Sequence, residues 1–90
     1  MKTTVIDIET TNFGDSPSPY IPENYLVSVG YKETLNGSWD NTNYLFFKHN
    51  EKEPTPNGSR ILQDCLWTTD LLVGHNIKFD LSWLLECGFE

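Results

Sequence analysis

The sequence is poor in cysteine, in basic residues and in long apolar runs. Its two cysteines, Cys65 and Cys87, are too few and too ordinarily spaced for a disulfide framework or a zinc site. Both are read as buried thiols. No apolar stretch reaches the length of a signal-peptide core or a membrane span, so no membrane partner is expected and the expected location is the cytoplasm. Six Lys and Arg stand against thirteen Asp and Glu, a formal charge of −7, spread almost evenly along the chain. No basic tail or patch stands out, which argues against a module that grips nucleic acid by neutralising many phosphates. The acidity bears on affinity and not on chemistry, because a metal-dependent site is itself a cluster of carboxylates. There is no internal repeat and no low-complexity tract.

What the ninety residues do contain is enough apolar material for one core: 38% hydrophobic and 13% aromatic, with three Trp, four Tyr and five Phe. Residues 4–9 (TVIDIE) alternate, with Ile6 and Ile8 on one face and Val5, Asp7 and Glu9 on the other, a strand pattern. Residues 11–24 carry Gly14, Pro17, Pro19 and Pro22 and predict a long surface loop without a helix. Residues 25–34 (YLVSVGYKET) and 43–48 (NYLFFK) resume strand chemistry, and Asn36-Gly37 between them predicts a hairpin with a loose tip. Pro54 and Pro56 lead into a helix over residues 58–68, with Ile61, Leu62, Cys65 and Leu66 at helical spacing and Asn57 as its cap. Residues 71–73 form a short apolar run, expected as a buried parallel strand, and a second helix follows over residues 77–87, stopped by Gly88. The order points to a mixed sheet with helices packed on it.

Two acidic constellations carry chemistry. Asp7 and Glu9 lie two apart on one strand, which puts both side chains on the same face about 7 Å apart. An isolated Asp-x-Glu is most often the solvent face of an edge strand. Here it closes an otherwise apolar strand that opens into the Pro-rich loop, at the kind of strand end where sites in such sheets collect. The second constellation is Gly74-His75-Asn76-Ile77-Lys78-Phe79-Asp80. Asn76 opens the helix and Asp80 follows one turn later on the same side. Read alone, Asn76 is a helix cap and Asp80 a solvated helix carboxylate. Read together, the carboxylates can converge from a strand and a helix, as a pair of divalent ions roughly 4 Å apart requires.

Together the motifs Asp7-Ile8-Glu9-Thr10 and Asn76-Ile77-Lys78-Phe79-Asp80 resemble the first two motifs of the DEDD-type 3′–5′ exonucleases, Asp-x-Glu-Thr and Asn-x-x-Phe/Tyr-Asp. Within them the chain is most similar to the proofreading exonuclease domain of bacteriophage-type family A DNA polymerases, through residues 20–31 (YIPENYLVSVGY) and 73–85. The resemblance covers nearly all ninety residues. It implies an α/β fold, a ribonuclease H-like mixed sheet with flanking helices, of which these residues form the N-terminal part, stopping before the last strand and helix. It implies that Asp7 bridges two Mg²⁺ ions, that Glu9 ligates the first and that Asp80 ligates the second, with Mn²⁺ as a substitute. It implies that Thr10 and Asn76 hold the 3′-terminal nucleotide and that Phe79 packs beneath the site. The partners it implies are the 3′ end of single-stranded DNA and a polymerase domain in the same or another chain, working in DNA replication, in the bacterial host cytoplasm if the protein is viral.

The third motif of that family, Tyr-x-x-x-Asp or His-x-x-x-Asp, is absent from these residues. The isolated chain is therefore expected to be inactive, and the strand at residues 71–73 to be an open edge. Two other readings stand beside the enzyme: half of a split nuclease completed by a partner chain, and a non-catalytic module that binds nucleic acid or a polymerase. Trp39, Trp67 and Trp83 are read as packing residues, His75 as a hydrogen-bonding loop residue, His49 as exposed, and Lys78 as a surface residue beside the site.

Overall fold

The computed structural model describes residues 1–35 and 37–89. Alternation makes the first strand, β1 (Thr3–Thr10): Thr4 and Ile6 are buried on one face, while Val5, Asp7 and Glu9 are exposed on the other. The next strand, β2 (Leu26–Leu35), runs antiparallel to it and sets Tyr31 opposite Ile6 and Val29 opposite Ile8. The register slips between Glu9 and Thr10, a bulge that ends the regular strand immediately beyond the acidic pair.

Beyond β2 the chain turns back once and pairs with the same edge of β2 in two pieces. A two-residue strand, β3 (Ser38–Trp39), pairs Ser38 with Leu35 and Trp39 with Thr34. Only two positions separate Leu35 from Ser38, which pair directly. Gly37 takes φ +80° as such turns demand. Asn36, the other half of the turn expected from the sequence, lies outside the described residues. The slack sits further on, where three residues separate Trp39 from Asn43 against two between Tyr31 and Thr34. Strand β4 (Asn43–Phe46) then pairs with β2 and places Leu45 opposite Val29. It stops at Phe46 rather than Lys48 because Thr55 takes over the Phe46 backbone, its hydroxyl accepting from Phe46 N–H at 2.8 Å and its own N–H donating to the Phe46 carbonyl at 2.8 Å.

Helix α1 (Gly58–Thr68) carries the chain across the sheet, and β5 (Leu71–Val73) returns parallel to β1 on its free side. The strand order is β3-β2-β1-β5, with β4 also on β2. Helix α2 (Ile77–Glu86) follows. Both helices pack on one face: Leu62, Cys65, Trp83 and Leu84 close over Ile6, Val29, Tyr31 and Leu45 to make the core. The protein is thus a small α/β domain with a mixed sheet.

Several expectations are corrected. Asn57 occupies the start of α1 in a left-handed conformation, φ +57°, and makes no capping bond with its side chain; only its carbonyl is used, by Ile61 N–H at 2.9 Å. Strand β5 is not buried, since Leu71 is 47% and Val73 41% exposed: among the described residues it pairs with β1 alone, and no helix covers its outward face. The Pro-rich loop contains a single 3₁₀ turn, Phe13–Asp15. Asn24 organises it, accepting from Phe13 N–H at 2.7 Å and donating to the carbonyls of Ser16 and Ser18 at 2.8 and 2.9 Å. Helix α2 ends one residue early, at Glu86, with Phe89 N–H reaching the Leu84 carbonyl and Gly88 N–H that of Leu85. Gly88, at φ +89°, permits that C-terminal cap. Cys65 is buried as expected, but Cys87, at the end of α2 away from the sheet, is exposed. Trp39 and Trp67 are exposed and only Trp83 packs. His49 is half-buried, its Nδ1 accepting from Glu51 N–H at 3.0 Å. His75 is exposed and has no side-chain hydrogen bond among the described residues.

Candidate active site

The carboxylates come from two elements that meet at one end of the sheet. Asp7 and Glu9 project from the open face of β1, as the alternation requires, and both are exposed. Asp80 lies in the first turn of α2 and is 5% exposed. Its backbone N–H donates to the Asn76 carbonyl at 3.1 Å, so the helix is wound before the carboxylate is reached.

Gly74, the residue after β5, makes this placement possible: a Cβ built there would fall 2.5 Å from Asp80 Oδ2. Any other side chain at this position would compete with the carboxylate for the same space.

Burial, and after it the negative charge of Asp7, push the pKa of the Asp80 carboxyl above its ordinary value, so that it holds its proton more tightly. Among the described residues Asp80 has no cation and no hydrogen-bond donor to offset either effect. No Asp80 oxygen is both fully enclosed and unpartnered, so the carboxylate keeps a path to water, and a proton or a metal ion shared with Asp7 would offset the repulsion that remains. The donor set is all carboxylate oxygen, the chemistry that suits Mg²⁺ or Mn²⁺. Asp7 and Asp80 thus lie within electrostatic reach of each other, and Glu9 stands further along β1. Among the described residues, no three His, Cys, Asp or Glu side chains converge closely enough to hold an ion by themselves.

The residues expected to hold a substrate divide between two places. Asn76 and Phe79 line a cleft of about 390 Å³ between α2 and the Pro-rich loop, with Lys78, Pro17 and Tyr20. Asn76 is exposed and its side chain makes no capping bond, which leaves the amide free to meet a ligand. Phe79 is half-buried and packs against the core, giving the cleft a fixed floor. Lys78 is exposed at its edge. Thr10 does not line the cleft; it sits half-buried at the β1 bulge opposite Leu26.

Sequence reasoning missed what fixes the cleft's other wall. Trp83 Nε1 donates to the Pro17 carbonyl at 2.8 Å, across sixty-six positions of sequence. The buried indole of α2 thereby ties the Pro-rich loop to the helix that carries Asp80. A tryptophan at a helix position facing the core is a signal only for burial, and nothing local identifies its acceptor. No described helix is long and apolar enough to cross a membrane. The chain matches no protein-family model and no curated protein sequence.

Proposed function

We propose that these residues form the first part of a ribonuclease H-like 3′–5′ exonuclease domain, a proofreading nuclease acting on the 3′ end of single-stranded DNA. The observation that carries the reading is the placement of Asp80, a largely buried residue with no cation beside it among the described residues, within electrostatic reach of Asp7 at the end of the sheet. In this reading Asp7, Glu9 and Asp80 hold two Mg²⁺ ions, which supply an activated water and stabilise charge at the leaving 3′ oxygen. Glu9, two residues further along the same face of β1, would be the third carboxylate ligand. Asn76 and Phe79 seat the terminal nucleotide in the cleft beneath the Pro-rich loop, and Thr10, outside that cleft at the β1 bulge, contacts the strand where it passes β1. Hydrolysis releases a nucleoside 5′-monophosphate.

The ninety residues contain no Tyr-x-x-x-Asp or His-x-x-x-Asp. The fourth carboxylate and the residue that positions the water come, in this reading, from polypeptide beyond them. A polypeptide in the same chain that also bears the polymerase domain is the simplest source. A separate partner chain is the second reading, favoured by one observation: among the described residues β5 pairs only with β1 and leaves Leu71 and Val73 exposed, an edge able to accept another strand.

The test is release of mononucleotides from 3′-labelled single-stranded DNA with Mg²⁺ or Mn²⁺. The expected result is no release by the ninety residues alone, release when they are joined to or mixed with the polypeptide carrying the third motif, and loss of it in Asp7→Ala. Release that survives Asp7→Ala and Asp80→Ala removes the reading.

A further inference from the structure

On the face of the sheet turned away from both helices, the pairing register sets two rows of side chains on either side of β2. Asp7 pairs with Gly30, and Gly30 with Tyr44; Glu9 pairs with Ser28, and Ser28 with Phe46. Directly paired residues project from the same face. A carboxylate row on β1 and an aromatic row on β4 therefore flank a floor made of Gly30 and Ser28 alone. With strands ~4.8 Å apart, the rows are about 10 Å from each other.

Glycine in the middle of a strand weakens it and needs a reason. Here the reason is Tyr44: a Cβ on Gly30 would lie 3.2 Å from Tyr44 Cε1 and 3.4 Å from Cδ1. The phenol ring leans across the glycine toward Asp7 and is held against the sheet on one side, yet Tyr44 is 62% exposed. Phe46 stacks beside it, the ring centroids 6.5 Å apart and the planes within 19°. The ring is thus a supported, solvent-facing platform rather than a core residue.

A concavity of about 320 Å³ opens next to it, lined by Val5, Asp7, Lys32, Trp39 and Tyr44 among others. Lys32 is exposed and faces no carboxylate partner among the described residues. Trp39, 51% exposed, supplies a second aromatic surface. Two exposed rings, an unpaired ammonium group and an adjacent carboxylate site suit a planar base joined to a phosphate. Stacking on aromatic rings is how single strands are held without sequence preference, because every base presents a π face.

We propose that this face binds a nucleobase of single-stranded nucleic acid, stacked on Tyr44, with Lys32 at a neighbouring phosphate. The inference rests on the nuclease reading for its ligand class: the stacked base belongs to the strand whose terminal phosphodiester is presented to Asp7 and Asp80. It assigns to β4 and β3 a role in holding the strand that neither acidic motif supplies.

Trp39 lies in the concavity and reports on it directly. In a Trp67→Phe background, which removes an exposed tryptophan, hexathymidylate is titrated against the chain with Mg²⁺ and again with EDTA, and tryptophan emission is followed. The expected result is saturable quenching in both conditions, lost in Trp39→Phe, weakened at least fivefold by Tyr44→Ala and by no more than twofold by Tyr44→Phe. Lys32→Ala weakens binding and lowers its salt dependence. Circular dichroism checks that the Tyr44 variants remain folded, as removal of an exposed ring should allow. Absence of saturable quenching, or an affinity unchanged in Tyr44→Ala, overturns the proposal. So does a stable self-associated state, seen by sedimentation, that hides Trp39 and takes up no oligonucleotide. Because the EDTA arm needs no metal ion, failure here is distinguishable from failure of the metal site.

Discussion

Gly74 and Asp80 compete for one volume: the carboxylate Oδ2 occupies the space that any side chain at position 74 would enter, 2.5 Å from where its Cβ would stand. The strand end is kept bare so that an acid from the next helix can lie over it and approach Asp7. Gly74→Ala should push the Asp80 carboxylate away, weakening Mn²⁺ binding tenfold or more. The fold should lose only ~1–3 kcal/mol, the usual cost of local overpacking. Calorimetric Mn²⁺ titration and thermal melts check the two effects separately.

Asp80 also gives the domain a pH signature. Its folded carboxyl titrates above the ordinary value of 3.8, first through burial and then through Asp7. Between the two values the folded chain holds a proton that the unfolded chain has released. Stability contributed here therefore falls as pH rises through that window and stays reduced above it. Asp80→Asn should raise the melting temperature at pH 7, with the gain vanishing below the ordinary carboxyl range. Added Mn²⁺ should stabilise the parent and leave the variant unmoved. Melting curves across pH, with and without Mn²⁺, decide it.

Trp83 should prove to be the clamp on the Pro-rich loop. Trp83→Phe keeps an aromatic ring in the core but removes the donor to the Pro17 carbonyl. Loss of that bond, together with the volume lost from a core position, should cost about 1–3 kcal/mol. Amide exchange and proteolysis across residues 16–22 should accelerate more than elsewhere. Equal protection of that loop in parent and variant would show that Asn24 holds it unaided.

The core and the open edge should respond oppositely to substitution. Leu62 is fully buried between α1 and the sheet, so Leu62→Ala should destabilise by about 2–5 kcal/mol. Val73, exposed on β5, should tolerate lysine with a change near ~0.5 kcal/mol, and Val73→Lys should reduce self-association. Denaturant melts and light scattering measure both.

Much of this was legible in the sequence, because the signals were periodic. Ile6 and Ile8 against Asp7 and Glu9 gave β1 its faces, and Leu62 and Cys65 gave α1 its buried side. Asp80 falls one turn into its helix, as its spacing from Asn76 requires. What could not be read depends on partners distant in the chain. The exposure of Leu71 and Val73 follows from what does not cover β5, and the Trp83 bond to Pro17 joins positions unrelated by any local pattern. The aromatic row of Tyr44 and Phe46 became visible only with the register that sets it across from the carboxylates. Asn57 misled because its side chain suits a cap, whereas the chain enters α1 through a left-handed residue that uses the carbonyl instead.

The central claim is that Asp7 and Asp80 form the nucleus of a divalent-metal site, and Mn²⁺ titration followed by electron paramagnetic resonance tests it most directly. The account predicts saturable binding to the parent chain that is weakened at least tenfold by Asp7→Asn and by Asp80→Asn, and less by Glu9→Gln. No saturable binding, or binding unchanged by Asp7→Asn and Asp80→Asn, would contradict it.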